Sequence, residues 1–272
     1  MTEPATPENP TPGEPDKPAD AQAEDQPLPS LDDAPVVKWL LILNIVVYVL
    51  NDSIGTVQGR LAGKWGQYDL LTFFGSFTIP QGINGFQLWR LFSYQFLHAN
   101  LVHIGLNMMA LFVFGPMLEQ WWGRRRFLAF YLLCGACGAW LMALFAYTPL
   151  VDGRTAWLVG ASGSIFGILV GVAMAYPTVE VKLILPPMWV TVRRLAMVFL
   201  LLSVAQILFG FNTGGNLAHL GGALFGYFLM QRPWSLDFAD KRAPKLDPPG
   251  KPTHDKTPAD PPAEKDPNAK AE

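Results

Sequence analysis

The sequence predicts an all-α, polytopic membrane protein: a bundle of six transmembrane helices with a long outer loop between helices 1 and 2. Three observations carry this expectation. Half of the 272 residues are hydrophobic and only 15% are charged, although both ends of the chain are very polar. The apolar residues gather in six runs, without the alternation that barrel strands need. The cations concentrate in every second connection between those runs.

Residues 1–35 are Pro, Glu, Asp and Ala with almost no large apolar side chains, and 235–272 alternate Pro, Lys and Asp. Neither stretch can bury enough surface to offset its ordering entropy, so both are expected to be disordered tails flanking a core at 36–234. Within that core the runs fall at about 36–52, 101–120, 127–147, 158–176, 195–210 and 216–231, and a loop rich in glycine and aromatics fills 53–100. A span takes about 20 apolar residues, so the first, fifth and sixth are slightly short. Only helices or closed barrels satisfy their backbones in lipid.

Orientation follows from the loops. Arg124, Arg125 and Arg126 follow the second run, Lys182, Arg193 and Arg194 the fourth, and Arg232, Lys241 and Arg242 the sixth. The other connections are poorer in cations for their length: Arg60, Lys64 and Arg90 spread over the long one, Arg154 in the next and none in 211–216. Both termini are therefore expected in the cytoplasm of a multi-pass cell-membrane protein, with 53–100 outside. The N-terminus has no basic and no apolar stretch of the kind a cleavable signal uses. A net charge of −2 argues against nucleic acid as a partner, leaving the lipid bilayer and membrane proteins.

Polar side chains inside spans are costly and mark function. Of the four histidines, His254 lies in the C-terminal tail and is assigned nothing, while His98, His103 and His219 lie at or in spans. His103 and Asn107 are four apart, on one face of the second helix. They read either as a shared polar cavity or as interhelical hydrogen bonding that holds the bundle together. The fourth run contains Gly160-Ala161-Ser162-Gly163-Ser164-Ile165-Phe166-Gly167. Ser164 stands where the soluble hydrolase elbow needs glycine, so that motif is absent. Gly163, Gly167 and Gly171 form a smooth face, and Gly222 and Gly226 lie close to the face of His219 on the sixth helix. Two glycine-faced helices can pack backbone to backbone and bring Ser162 to His219, although other pairings fit the same residues.

In combination these residues resemble the rhomboid intramembrane proteases. The resemblance rests on H-x4-H-x3-N (His98, His103, Asn107), on GASG (Gly160 to Gly163) and on AHxxGxxxG (Ala218 to Gly226). The pair Trp89-Arg90 and the stretch Glu119-x3-Gly123 with its arginines are similar to further pieces of the family pattern. The resemblance covers 36–234 and implies a serine endopeptidase that cleaves transmembrane segments of single-pass membrane proteins, with no cofactor and no metal. By that analogy Ser162 is the nucleophile, His219 the general base, and His103, Asn107 and the Ser162 N–H hold the oxyanion, with Gly160, Gly163, Phe166 and His98 in support. The family often has tyrosine where Phe166 stands, which keeps a ring to stack on the histidine and drops a phenolic hydrogen bond.

No acid occurs between Asp152 and Glu180 or between Glu180 and Asp237, so a carboxylate third member is not expected and Phe166 is the candidate for holding the imidazole. The glycine-rich segment 210–216 reads as a mobile lid or as a simple tight connection. Trp89 and Arg90 read as headgroup anchors of the outer loop, and Glu119 as a hydrogen-bond partner at a helix end. Cys134 and Cys137, among small residues in mid-span, read as packing rather than as a redox or metal pair. No H-E-x-x-H motif supports a zinc protease. A small transporter is disfavoured by the lack of inverted repeats. The remaining alternative is a catalytically inactive rhomboid-like protein that binds membrane clients.

Overall fold

The computed structural model describes residues 30–62, 70–149, 151, 156–183 and 186–240, and it is predominantly helical. The segments 1–29 and 241–272, which make up most of the two expected tails, lie outside the described residues. Among the described residues there are six helices of 14 residues or more: α1 (Pro35–Ala62), α2 (Leu101–Trp122), α3 (Arg124–Phe145), α4 (Ser162–Ala175), α5 (Val192–Leu208) and α6 (Thr213–Gln231). By length and composition, three helical stretches among the described residues suffice to cross a membrane: Pro35–Ser53, Leu101–Trp122 and Arg124–Phe145. Large apolar side chains stand exposed along these helices, Trp39, Leu101, Phe112 and Leu144 among them, and in α5 Leu201 and Leu208. Such a surface is stable against lipid and not against water.

The helix ends have identifiable causes. Proline at the first position of α1 suits a helix start, and the next two N–H groups, of Val36 and Val37, donate to Glu119 Oε1 and Oε2 at 3.0 and 2.8 Å. Glu119 thus serves as the helix-end partner expected of it. Asn100 caps α2 by accepting from the His103 N–H at 2.9 Å. Gly123, at φ +76°, makes the one-residue corner between α2 and α3.

Four features differ from or add to the sequence expectation. The helix α4 begins at Ser162, not near 158, because Trp157–Leu158 (β2) pair as a short antiparallel strand with Phe77–Thr78 (β1) and Gly160 adopts φ +120°. A second hairpin, β3 (Glu180–Lys182) with β4 (Trp189–Thr191), joins α4 to α5. Arg90 is not a headgroup anchor: it is 2% exposed and donates to the carbonyls of Ser76 (2.6 Å) and Phe73 (3.0 Å) and to Gln87 Oε1 (2.7 Å). A guanidinium with several donors closes a loop better than it serves the lipid surface, and only Trp89 stays exposed. Of the two readings of 210–216, the structure fits the tight connection: Thr213 to Asn216 are already the first turn of α6, and Asn216 donates to Gln206 Oε1 and to the carbonyls of Phe211 and Asn212. Packing also runs past 234, with Leu236 buried and Asp237 accepting from Arg126 at 2.7 Å.

The bundle centres on α4 and α6. Fourteen residues of α4 rise only about 21 Å, less than the ~30 Å hydrocarbon thickness, so this helix is shorter than the hydrocarbon layer. A Cβ on Gly222 would run into the Gly163 carbonyl, and one on Gly226 would meet Gly167 Cα at 2.8 Å. On its other side α6 presses on α3, where a Cβ on Gly138 would meet the Ala218 carbonyl at 2.5 Å. Gly171 faces Leu118 and Phe130 instead of α6, and Cys134 fills the space opposite Gly167, consistent with packing. These contacts bring two backbones together at the level of Ser162 and His219.

Candidate active site

Ser162 is the first residue of α4, where N–H groups lack intrahelical partners and the helix dipole is positive. His219 lies in α6, three residues before the Gly222 contact. The Ser162 Oγ and His219 Nε2 are 2.8 Å apart. The Phe166 ring lies parallel to the imidazole, with centroids 4.3 Å apart and planes 9° from parallel. His219 Nδ1 is buried and has no hydrogen-bond partner, carboxylate or other, among the described residues.

A cavity of about 500 Å³ opens beside this pair. Gly160, Ser162, Gly163, Phe166, His103, Asn107 and His219 all line it, so seven of the eight residues singled out from sequence meet in one place. The eighth, His98, sits behind His103 with ring centroids 5.1 Å apart. It precedes α2, and burial, followed by the neighbouring His103, pushes its imidazole down to about 4, so it is neutral at neutral pH.

The wall opposite Ser162 is set by Gly160. Its missing Cβ leaves room for the His103 ring, whose Nε2 would lie 2.6 Å from that atom. His103 Nδ1 faces the Ala99 N–H at 3.5 Å, which favours the proton on Nε2, toward the cavity. Asn107 is 6% exposed, and its Nδ2 has no hydrogen-bond partner among the described residues. Two donors thus converge near the start of α4.

Sequence reasoning missed several lining residues. Tyr94, Trp157, Ser203, Gln206 and Asn216 also face the cavity. Asn216 carried a signal, an amide one turn before His219 in an apolar run. Tyr94 and Trp157 carried none, because aromatics are common in such loops.

A helical membrane bundle with a serine and a histidine in contact at a helix N-terminus defines the class of this protein. Within that class the chain belongs to the rhomboid family: the Rhomboid domain matches residues 85–232, more than half of the chain. The RHOMBOID-like protein 7 of Arabidopsis thaliana is 29% identical over 223 residues, covering 72% of this chain and 64% of that protein. The Rhomboid protease GluP of Bacillus subtilis is 30% identical over 142 residues, covering 52% of this chain and 25% of that protein. The Presenilin-associated rhomboid-like protein A, mitochondrial, of Danio rerio is 31% identical over 132 residues, covering 48% of this chain and 34% of that protein. The chain therefore spans between a quarter and about two thirds of these relatives' lengths. The family membership agrees with the resemblance carried by the sequence motifs.

Proposed function

We propose that the protein is an intramembrane serine endopeptidase that cleaves transmembrane segments of single-pass membrane proteins through Ser162 and His219. One observation carries the reading: the 2.8 Å contact between Ser162 Oγ and His219 Nε2, inside a cavity that also presents Asn107 and His103. Family membership and the likeness to a rhomboid protease support it. All six helices cross the cell membrane in this reading, with both termini in the cytoplasm and the cavity opening outward.

The chemistry is acyl transfer. His219 Nε2 accepts the Ser162 hydroxyl proton as Oγ bonds to the scissile carbonyl carbon. Negative charge moves to the carbonyl oxygen, which accepts from Asn107 Nδ2, His103 Nε2 and the Ser162 N–H. The oxyanion collapses, the C–N bond breaks, and His219 returns the proton to the leaving nitrogen. His219 then takes a proton from water as its oxygen attacks the ester carbon, and it passes that proton to Oγ as the C–Oγ bond breaks, releasing the acid and free Ser162. The Phe166 stack holds the imidazole in place of a third, acidic residue.

The test is cleavage of a model transmembrane substrate in liposomes by wild type, Ser162→Ala and His219→Ala. Cleavage by wild type, with a loss of about 1,000-fold or more in each variant, is expected. Equal cleavage by all three overturns the assignment. Client capture without cleavage, and no fluorophosphonate labelling of Ser162, would make the protein an inactive client binder.

A further inference from the structure

Ser164 has no part in the chemistry above, yet it is fully buried two residues beyond the nucleophile. Its hydroxyl donates to Gln95 Oε1 at 2.9 Å. Two residues before the nucleophile, the Gly160 N–H donates to the carbonyl of Tyr94 at 2.9 Å. Both flanks of Ser162 are thus bonded to two consecutive residues of a distant loop. We propose that Tyr94 and Gln95 clamp the turn that carries Ser162 and act as positioning residues for it. The proposal rests on the dyad reading.

The geometry gives the clamp a fixed frame. Gln95 is 0% exposed, and its Nε2 donates to the carbonyls of Leu91 (2.9 Å) and Leu132 (3.2 Å). With both amide hydrogens on carbonyls, a flip of the amide would set oxygen against oxygen, so Oε1 must face Ser164. Tyr94 is 2% exposed, and its hydroxyl donates to the Gly135 carbonyl at 2.7 Å. Gly135 itself makes the space: a Cβ there would overlap the Gln95 side chain. The loop is therefore fastened to α3, and α4 is fastened to the loop on both sides of Ser162.

The mechanism gives this frame a purpose. Gly160 lies at φ +120° and Ser162 in the first turn of a helix, a place where backbones fray. Away from water these hydrogen bonds meet little competition, so they resist such motion better than surface bonds do. A misplacement of about 1 Å in a reacting group can cost on the order of 100-fold in rate. A clamp on residues 160 and 164 suppresses it without touching substrate.

The variants are Ser164→Ala, Gln95→Met and their double, purified as the full chain in liposomes beside wild type. Competent sites are counted with a fluorophosphonate probe, so that lost folding is not read as lost rate. Turnover of a model transmembrane substrate then yields kcat per titrated site and KM. Ser164→Ala, the gentler change, is expected to lower kcat per site about tenfold with KM unchanged. The double variant is expected to fall no further than the worse single one. Wild-type kcat per site in both single variants, with only a lower unfolding temperature, overturns the proposal in favour of plain packing. Losses that multiply in the double variant overturn it too, since the pair would not act as one bond. Failure of wild type to react with probe and substrate overturns the protease reading, and the clamp with it.

Discussion

Gly222→Ala tests whether backbone contact between α4 and α6 sets the distance from Ser162 to His219. The added Cβ meets the Gly163 carbonyl oxygen first, and the carbonyl carbon lies 2.7 Å away. Carbon atoms rest about 3.5 Å apart or more, so the two helices must part by about 1 Å. Neither obstacle can rotate away, because both belong to the backbone. Gly163 adjoins Ser162, and Gly222 is one turn from His219, so the displacement falls on the 2.8 Å contact. Overpacking of this kind costs about 1–3 kcal/mol of stability. The labelling rate is expected to fall on the order of 100-fold, because the proton transfer loses its hydrogen bond. The assay is the fluorophosphonate labelling rate well below the unfolding temperature, with thermal unfolding followed in parallel. Gly105→Ala is the control: nothing lies within 4 Å of its Cβ, and it should gain about 0.5–1 kcal/mol of helix stability at wild-type labelling. A folded Gly222→Ala that labels at the wild-type rate would refute the reasoning.

The parts of the site that were legible in the sequence share one physical property: they are expensive in lipid. His103, Asn107 and His219 stood out because an imidazole or amide in an apolar run needs a reason. The glycine spacings announced helix faces that meet, and Gly222 with Gly163 and Gly226 with Gly167 are those meetings. What the sequence hid was backbone. Leu158 and Val159 read as the start of a transmembrane helix by hydropathy, yet they lead into it as a strand end and a turn. Hydropathy measures where a residue sits, not the conformation it takes, and protein-buried irregular backbone is tolerated at membrane depth. Arg90 was misplaced for a similar reason. Its charge suggested headgroups, while the carbonyls that hold it belong to a loop path that no local pattern encodes. Tyr94, Gln95 and Ser164 are ordinary residues whose role comes from an arrangement across a sequence distance of 69 residues.

Two further substitutions probe the frame around the site. Glu119→Ala removes the acceptor of the Val36 and Val37 N–H groups and leaves the start of α1 uncapped. A loss of about 1–3 kcal/mol is expected in thermal unfolding, with labelling of Ser162 unchanged at low temperature. An unaltered unfolding temperature would show that these bonds contribute nothing. Phe166→Leu addresses the imidazole itself. His219 is held by its Nε2 contact with Ser162 and by the parallel Phe166 ring, since Nδ1 has no hydrogen-bond partner among the described residues. In the proposed mechanism the Nε2 contact is the one that breaks, so the stack alone keeps the ring aimed as it carries the proton to the leaving nitrogen. An aromatic pair contributes about 0.5–1.5 kcal/mol, and its loss in the transition state lowers kcat roughly 2- to 10-fold. KM should stay close to wild type, because the ring acts through His219. Phe166→Tyr keeps the stack and should keep the rate, which separates the ring from its bulk. If Phe166→Leu turns over as fast as wild type, the imidazole is held by something other than this ring, and the dyad has a third member still to be found.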